Sequence, residues 1–339
     1  MGRLAPAFLT VIASLVLATL QHGVALAQDK LADAARNEKG IVLYGSPNTD
    51  DLNFLVNVFT KKHPFVKSSI YRATSAAVFN KIMAESRAGR RAFDAVIVSG
   101  FEIHLLKKAG LFEAYLPREI HRYPAGFKDS EGYWTAFFSN THVISYNTRQ
   151  VKAEDAPKKY EDLLQPAWKG RLMMHSEDYE WFTNQLLIRG EENGLKLMRG
   201  LANQNIIFRR GHTLILQLVA AGEAAASVNS YAYRAERLKQ DGAPVRWVGV
   251  EPIVANLLCI ALAKNGPNPN SARLFIEFAT SKEGQTIVSQ KFQRVPAHMD
   301  VEANPPTLTR GLKLWPSNPE LGERIGRYGK LFRETFGLN

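Results

Sequence analysis

Short apolar runs alternate along the chain with segments in which apolar residues recur at helical spacing. In the first such segment, 50–62, Leu52, Leu55 and Phe59 share one face, and Pro64 follows as a stop. Strands separated by helices at this spacing predict an α/β fold with largely parallel sheets. The other predicted helices cover 75–88, 214–221, 272–280 and 282–291, and the predicted strands cover 41–45, 66–72, 93–99, 141–147, 171–175, 205–209, 224–228, 245–250 and 253–263.

Polar side chains stand where three of these helices are predicted to begin. Ser75, Thr213 and Ser281 each start or directly precede a helical segment. Ser and Thr are preferred at such positions because the hydroxyl accepts a hydrogen bond from a first-turn N–H. We therefore expect all three residues to act as N-caps.

The first 27 residues have the features of a secretory signal peptide. Arg3 precedes an apolar run, and Ala25 and Ala27 form an A-x-A cleavage signature before Gln28. The run is short for a bilayer, so a cleavable signal is preferred over a transmembrane anchor. No later stretch is apolar and long enough to span a membrane. We expect a soluble mature chain that begins near Gln28 and resides outside the cytoplasm.

Charge and cysteine content exclude some classes of protein. The chain of 339 residues has a formal net charge of +11, which could indicate nucleic acid, an anionic surface or an anionic ligand. Its Lys and Arg residues are scattered with no basic stripe, so nucleic-acid binding is not expected. The single cysteine, Cys259, lies in a buried-strand pattern and cannot form an intramolecular disulfide.

Hydroxyl or amide side chains mark five junctions between a predicted strand and the segment that follows it. Ligands of open α/β sheets bind at such junctions, where helix N-termini present free N–H groups and a positive dipole end. Any one junction alone is an ordinary helix cap. Five together, two of them with an adjacent Arg72 or Arg210, predict a polar cleft suited to an anion. The junctions are 45–49, 72–75, 99–100, 210–213 and 229–231.

The motifs of common enzyme classes are missing from the sequence. It contains no G-x-S-x-G, H-E-x-x-H, Walker loop or G-x-G-x-x-G after a strand. The acids Glu177, Asp178 and Glu180 could serve acid–base chemistry or a metal, but a solvated loop is the preferred interpretation. The eight histidines show no metal-ligand spacing, so zinc is not expected. We predict a protein without catalytic residues or a cofactor.

Six segments spread over nearly the whole mature chain carry a family resemblance. Their order and spacing resemble those of the solute-binding proteins of ABC importers, and the closest subgroup is the ferric-iron-binding type of the type 2 periplasmic binding fold. The segments are 91–99 (RAFDAVIVS), 143–148 (VISYNT), 157–171 (PKKYEDLLQPAWKGR), 217–223 (QLVAAGE), 273–285 (RLFIEFATSKEGQ) and 294–301 (RVPAHMDV).

The resemblance implies a two-lobed α/β fold with a hinge of two crossing strands and a ligand held between the lobes. We place the crossings near 144–149 and 250–257. Lobe 1 would then be 28–145 plus 256–339, and lobe 2 would be 146–255.

The spacing of two tyrosines indicates whether this chain has the ferric site of the subgroup. Ferric members carry two adjacent tyrosines where this chain has Tyr231 and Ala232. Tyr231 and Tyr233 at the start of a helix would point roughly 200° apart and face opposite sides. We therefore expect Tyr231 in the cleft and Tyr233 packed against the lobe. Should iron bind nevertheless, Tyr231 with Tyr179 is the alternative pair.

Two further departures from the ferric pattern agree with this interpretation. The His that ferric relatives often carry in the first loop is replaced around Ser46 and Asn48. The acid after the third strand is replaced around Ser99. Ferric ligation by the usual set is therefore not expected.

The sequence thus predicts a monomeric solute-binding protein that delivers a small anion to the membrane permease of an ABC importer. A phosphate, phosphonate or carboxylate suits hydroxyls, helix N-termini and arginine. The alternatives are ferric iron or a ferric–anion complex, a ligand-sensing subunit for a membrane histidine kinase, and a secreted enzyme. The predicted ligand-binding residues are Ser46, Asn48, Thr74, Ser75, Ser99, Arg210, Thr213 and Tyr231.

Overall fold

The computed structural model describes residues 30–338, so the predicted signal segment lies outside the described residues. The strands are β1 (Ile41–Gly45), β2 (Ser68–Arg72), β3 (Ala95–Ser99), β4 (Phe112–Glu113), β5 (Thr135–Asn147), β6 (Leu172–His175), β7 (Ile207–Arg209), β8 (Ala226–Tyr231), β9 (Val245–Val248), β10 (Ile253–Ala263), β11 (Val295–Pro296) and β12 (Leu314–Pro316). The α-helices with defined bounds are α1 (Thr49–Lys62), α2 (Ser75–Arg87), α3 (Gly100–Lys108), α4 (Tyr179–Arg189), α5 (Glu191–Ala202), α6 (His212–Ala221), α7 (Ala232–Gln240), α8 (Pro269–Thr280), α9 (Lys282–Gln290) and α10 (Ile325–Phe336).

One of the three predicted N-caps is confirmed. Ser281 caps α9, and its hydroxyl accepts a hydrogen bond from the backbone N–H of Gly284 at 3.3 Å. The prediction for Ser75 is wrong by one residue, because Thr74 adopts the extended cap conformation and Ser75 is already helical. The prediction for Thr213 is wrong because the glycine at 211 lets the chain turn earlier, so that α6 begins at His212.

Four helices, α3, α4, α5 and α10, were not predicted, whereas α7 begins at Ala232, close to the helix start expected at Tyr231 and Tyr233. The reason is clearest for α4, which buries Trp181, Thr183, Asn184 and Leu186 on successive turns and different faces. A helix enclosed on nearly all sides has no single apolar stripe, so helical periodicity does not reveal it.

The strands form a mixed sheet, so the prediction of largely parallel sheets is wrong. The order is β2-β1-β3-β10-β5-β8-β6-β7. β1 is parallel to β2 and β3, and β6 is parallel to β7 and β8. The long central strands β10 and β5 pair antiparallel with each other, and β10 with β3 and β5 with β8 are antiparallel too. Sequence spacing identifies a strand but gives no sign of its direction.

Strand β5 connects two halves of the sheet. Its first part, up to Thr141, pairs with β10, and its second part, from His142, pairs with β8 and β9. All 13 of its residues are buried. A strand shared in this way carries the chain from one half of the molecule to the other.

Each half has its own apolar core. Phe59 and Phe275 pack edge to face in the half built on β1, β3 and β10. Trp181, Phe182 and Phe332 belong to the core of the half built on β6 and β8. The last helix, α10, therefore packs beside the second core, although it falls within the residues predicted for lobe 1. The lobe boundaries stay a prediction.

Between residues 30 and 338, no helix is both long and apolar enough to cross a lipid bilayer.

Candidate functional site

Helix N-termini converge on one cleft with a volume of about 400 Å³. The N-cap residues Asn48 of α1, Thr74 of α2, Ser99 of α3 and Tyr231 of α7 all line it, as does His212, the first residue of α6. They meet there because the carboxyl ends of parallel strands lie at the same edge of a sheet. The positive ends of these helix dipoles make the cleft favourable for an anion.

Six of the eight predicted residues line this cleft. The hydroxyls of Ser75 and Ser46 are joined by a hydrogen bond of 2.8 Å that Ser75 donates. The Ser75 oxygen in turn accepts from the backbone N–H of Ser99 at 3.1 Å. These bonds link the ends of three successive β–α junctions into one polar wall. The six residues are Ser46, Asn48, Thr74, Ser75, Ser99 and Tyr231.

The other two predicted residues, Arg210 and Thr213, do not line the cleft. The side chain of Arg210 is 76% exposed and pairs with Glu177. Thr213 is exposed on the second residue of α6. The expectation that Arg210 and Thr213 line the cleft is therefore wrong. The positive-φ turn at Gly211 (φ 101°) separates Arg210 from the start of α6, which faces the cleft.

Two other arginines line the cleft, Arg72 and Arg294. Arg72 was expected beside a junction of the cleft but not among the ligand-binding residues, and Arg294 was not expected there. Arg294 is only 4% exposed. It donates hydrogen bonds to Asn140 Oδ1 at 2.8 Å and to Asp51 Oδ2 at 3.4 Å. Its guanidinium carbon lies 3.5 Å from the centroid of the Tyr233 ring. Arg294 is in the segment 294–301 quoted for the resemblance, but nothing in its local sequence shows that it reaches the cleft.

Tyr231 and Tyr233 line the same cleft, so the expectation that they face opposite sides is wrong. Tyr231 is the last residue of β8 and is extended (φ −91°, ψ 127°), whereas Tyr233 is in the first turn of α7. The roughly 100° rotation per residue of a helix therefore does not set the angle between their side chains. Their rings lie 6.1 Å apart and are nearly parallel. Burial raises the pKa of the Tyr231 phenol well above its usual value, so this group remains an O–H donor.

Acids of the segment 177–180 are part of the site rather than a solvated loop, except for Glu177. Asp178 is buried beneath the cleft, and Glu180 lines it. Burial raises the pKa of Glu180 to about 8, and Asn256 donates a hydrogen bond to its carboxyl group. At neutral pH Glu180 is therefore largely protonated and does not repel an anion.

Tyr179, the alternative iron ligand, lies away from these groups. Its hydroxyl accepts a hydrogen bond from Arg333 at 3.3 Å, and its ring packs edge to face on Phe332. It belongs to the contact between α4 and α10 and does not line the cleft.

His142 and His212 lie together with Asp178 under Tyr231. His142 Nε2 is 3.1 Å and His212 Nε2 is 3.6 Å from Asp178 Oδ2. The Tyr231 ring centroid lies 4.9 Å from that of His142 and 4.0 Å from that of His212. The sequence spacing of the histidines, from which no metal ligands were expected, therefore does not reveal that two of them meet beside a buried carboxylate. They are distant in sequence and meet because β5 pairs with β8, which sets His142 opposite Tyr231.

A family model described as "Bacterial extracellular solute-binding protein" matches residues 95–321, which is most of the chain. The chain belongs to this family. The protein is thus a solute-binding protein of the ABC-importer type and not an enzyme. Among curated relatives, this solute-binding protein is 24% identical over 293 residues to "Iron uptake protein A1" of Synechocystis sp., a match that covers 81% of this chain and 80% of the relative.

Solved structures show the same two-lobed periplasmic binding fold. The periplasmic binding protein AfuA of Actinobacillus pleuropneumoniae, with fructose-6-phosphate bound, has a TM-score of 0.76 at 22% identity and covers 89% of this chain and 99% of its own. Iron-bound HitA of Pseudomonas aeruginosa has a TM-score of 0.76 at 19% identity and covers 87% and 99%. The prediction of a solute-binding fold is confirmed.

Proposed function

We propose that this solute-binding protein captures a small anion that bears a phosphate, phosphonate or carboxylate group, and delivers it to the membrane permease of an ABC importer. The observation that carries the proposal is the meeting of four helix N-caps with the buried Arg294 in one cleft. Backbone N–H groups at helix N-termini and a guanidinium are the donors that oxyanions bind best.

Arg294 and the hydroxyl groups of the cleft make different contributions to anion binding. Arg294 supplies fixed charge, because Asn140 and Asp51 hold its guanidinium in place. Ser46, Ser75 and the protonated Tyr231 supply neutral hydrogen bonds to the remaining oxygens. Neither Asn48 nor Ser99 uses its side chain to cap its own helix. Their helices therefore keep first-turn N–H groups available to a ligand.

We base the proposed export signal and the proposed closure of the lobes on the family. Residues 1–27 act as a cleavable signal, and the mature protein resides in the periplasm. Lobe 1 comprises 28–145 plus 256–339 and lobe 2 comprises 146–255. A ligand that touches Ser75 in one lobe and Tyr231 in the other stabilises the closed form, because binding energy is gained from both sides only there.

Ferric iron, alone or with an anion, is the second candidate. It is favoured by the two phenols of Tyr231 and Tyr233 in one cleft, by the relative named "Iron uptake protein A1" and by the structural neighbour iron-bound HitA. Two observations oppose it. The guanidinium of Arg294 lies against the Tyr233 ring and repels a trivalent cation. Burial also holds the Tyr231 phenol in its protonated form.

Calorimetric titration with a panel of phosphate, phosphonate and carboxylate compounds, plus ferric citrate, tests the proposal. We expect one anion per chain and no visible colour with ferric citrate. Tyr231→Phe should weaken anion binding by about 0.5–1.5 kcal/mol, because it removes one neutral hydrogen bond. The matched control, Tyr179→Phe, should change nothing. A visible ferric–phenolate band that Tyr231→Phe abolishes would instead establish the second candidate.

A further inference from the structure

The residues His142, Asp178 and His212, here named the cleft-floor triad, form a second group of ligand atoms below the cleft. One ligand atom from each residue lies within 4.8 Å of the other two. The three come from separate elements: His142 from β5, Asp178 from the N-cap of α4, and His212 from the first residue of α6. Sites built on strands and helix ends are rigid enough to select a metal.

Buried donors and acceptors without partners point to a missing ligand. His142 is 1% exposed, and among residues 30–338 neither of its ring nitrogens has a hydrogen-bond partner. The 3.1 Å contact of its Nε2 with Asp178 lacks hydrogen-bond alignment. A buried polar group left unpaired is costly, and native structures rarely keep one without a ligand, ion or water. A metal ion bound to Nε2 would satisfy this nitrogen.

The carboxylate of the triad is already held in position. Asp178 Oδ1 accepts a hydrogen bond from the backbone N–H of Trp181 at 3.2 Å, and Oδ2 accepts one from Asn229 Nδ2 at 2.8 Å. Asn229 is itself fixed, since its Oδ1 accepts from the backbone N–H of His175 at 3.3 Å. Partners of this kind orient metal ligands and are a regular part of metal sites.

We propose that the cleft-floor triad binds one divalent transition-metal ion of the zinc type through two imidazoles and one carboxylate. Tetrahedral zinc at about 2.0–2.1 Å from each ligand places neighbouring ligand atoms about 3.3 Å apart. The distances of 3.1 Å and 3.6 Å from Asp178 Oδ2 to the two imidazoles already match this value. Imidazole and carboxylate donors suit zinc and its neighbours better than calcium or magnesium.

The open fourth position of such an ion is reached from the cleft. His212 lines the cleft, whereas His142 and Asp178 are buried behind it. An ion with three protein ligands keeps one position for water or for an oxygen of a bound molecule. The ion adds positive charge under the N-caps.

Zinc titration of the chelator-stripped protein, in competition with a chromophoric chelator and without any cleft anion, tests the site. We expect one zinc per chain in the wild-type protein. His212→Gln should lower the affinity by more than about 100-fold, because loss of a direct ligand exceeds the 10- to 100-fold effect of an outer partner. The control variant His121→Gln, which removes an exposed histidine outside the cleft, should bind zinc as the wild type does.

X-ray absorption of the wild-type zinc complex gives a second result that needs no variant. Its spectrum should show two imidazoles in the first coordination shell with nitrogen and oxygen donors only. Absence of stoichiometric zinc in the wild type, equal affinity in folded His212→Gln, or fewer than two imidazoles around zinc would each overturn the proposal. Anion binding could still be found in all of these cases, so the two proposals fail separately.

Discussion

Replacing Arg294 with Gln should lower the affinity of the cleft for its anion by about 1.5–3 kcal/mol, roughly 10- to 150-fold. A hydrogen bond that involves a charged group contributes this much because the guanidinium is buried and shielded from water. Arg294 is 4% exposed, and its direction is fixed by Asn140 and Asp51. Calorimetric titration of both proteins with the tightest anion of the panel measures the difference.

Arg210→Ala is the matched control for this variant. It also removes an arginine, but the Arg210 side chain is 76% exposed, pairs with Glu177 and does not line the cleft. Its anion affinity should equal that of the wild type. Arg294→Lys is a second control for protein stability, because it keeps a positive charge near Asp51. It removes the planar guanidinium and its paired donors. Equal affinities in the Arg294→Gln and wild-type proteins would remove Arg294 from the site.

Replacing Phe332 with Ala should lower the free energy of unfolding by about 3–5 kcal/mol. Phe332 is fully buried at 0% exposure in α10. Its ring centroid lies 5.3 Å from that of Tyr179 and 5.4 Å from that of Phe182. Truncation therefore opens a cavity between α10 and the rest of the second core. Urea unfolding followed by circular dichroism measures the loss.

Lys330→Ala on the same helix is the control for this prediction. Lys330 is exposed and pairs with Glu334 at 3.7 Å, so its removal should change stability by less than about 0.5 kcal/mol. A loss below 1 kcal/mol for Phe332→Ala would mean that α10 does not pack against the second core in solution.

Much of the fold could be predicted from the sequence because local patterns report local structure. The strand 253–263 and the helix that follows Ser281 agree with the structure, since an unbroken apolar run and a hydroxyl cap both act over a few residues. The mixed direction of the sheet could not be predicted in this way. It depends on the antiparallel pairing of β5 with β10, which joins residues more than 100 positions apart.

The residues of the candidate site also fall into those that local sequence predicts and those that only tertiary packing brings together. Hydroxyls at strand ends, such as Ser46 and Ser75, were predicted because parallel strands bring their carboxyl ends together. Arg294 and the pair of His142 and His212 were missed, since tertiary packing alone brings Arg294 and His212 to the cleft and His142 behind it. The geometry of Tyr231 was misjudged because β8 extends three residues beyond its predicted end, and this places an extended residue where a helix was expected.

Native mass spectrometry of the protein purified from its own host identifies the molecule bound in the cleft, because a tightly held ligand survives purification. We expect one added mass per chain that corresponds to a small phosphate-, phosphonate- or carboxylate-bearing molecule, and we expect that mass to be lost in Arg294→Gln. A chain that carries iron without such an anion, or that carries no ligand at all, would contradict this expectation.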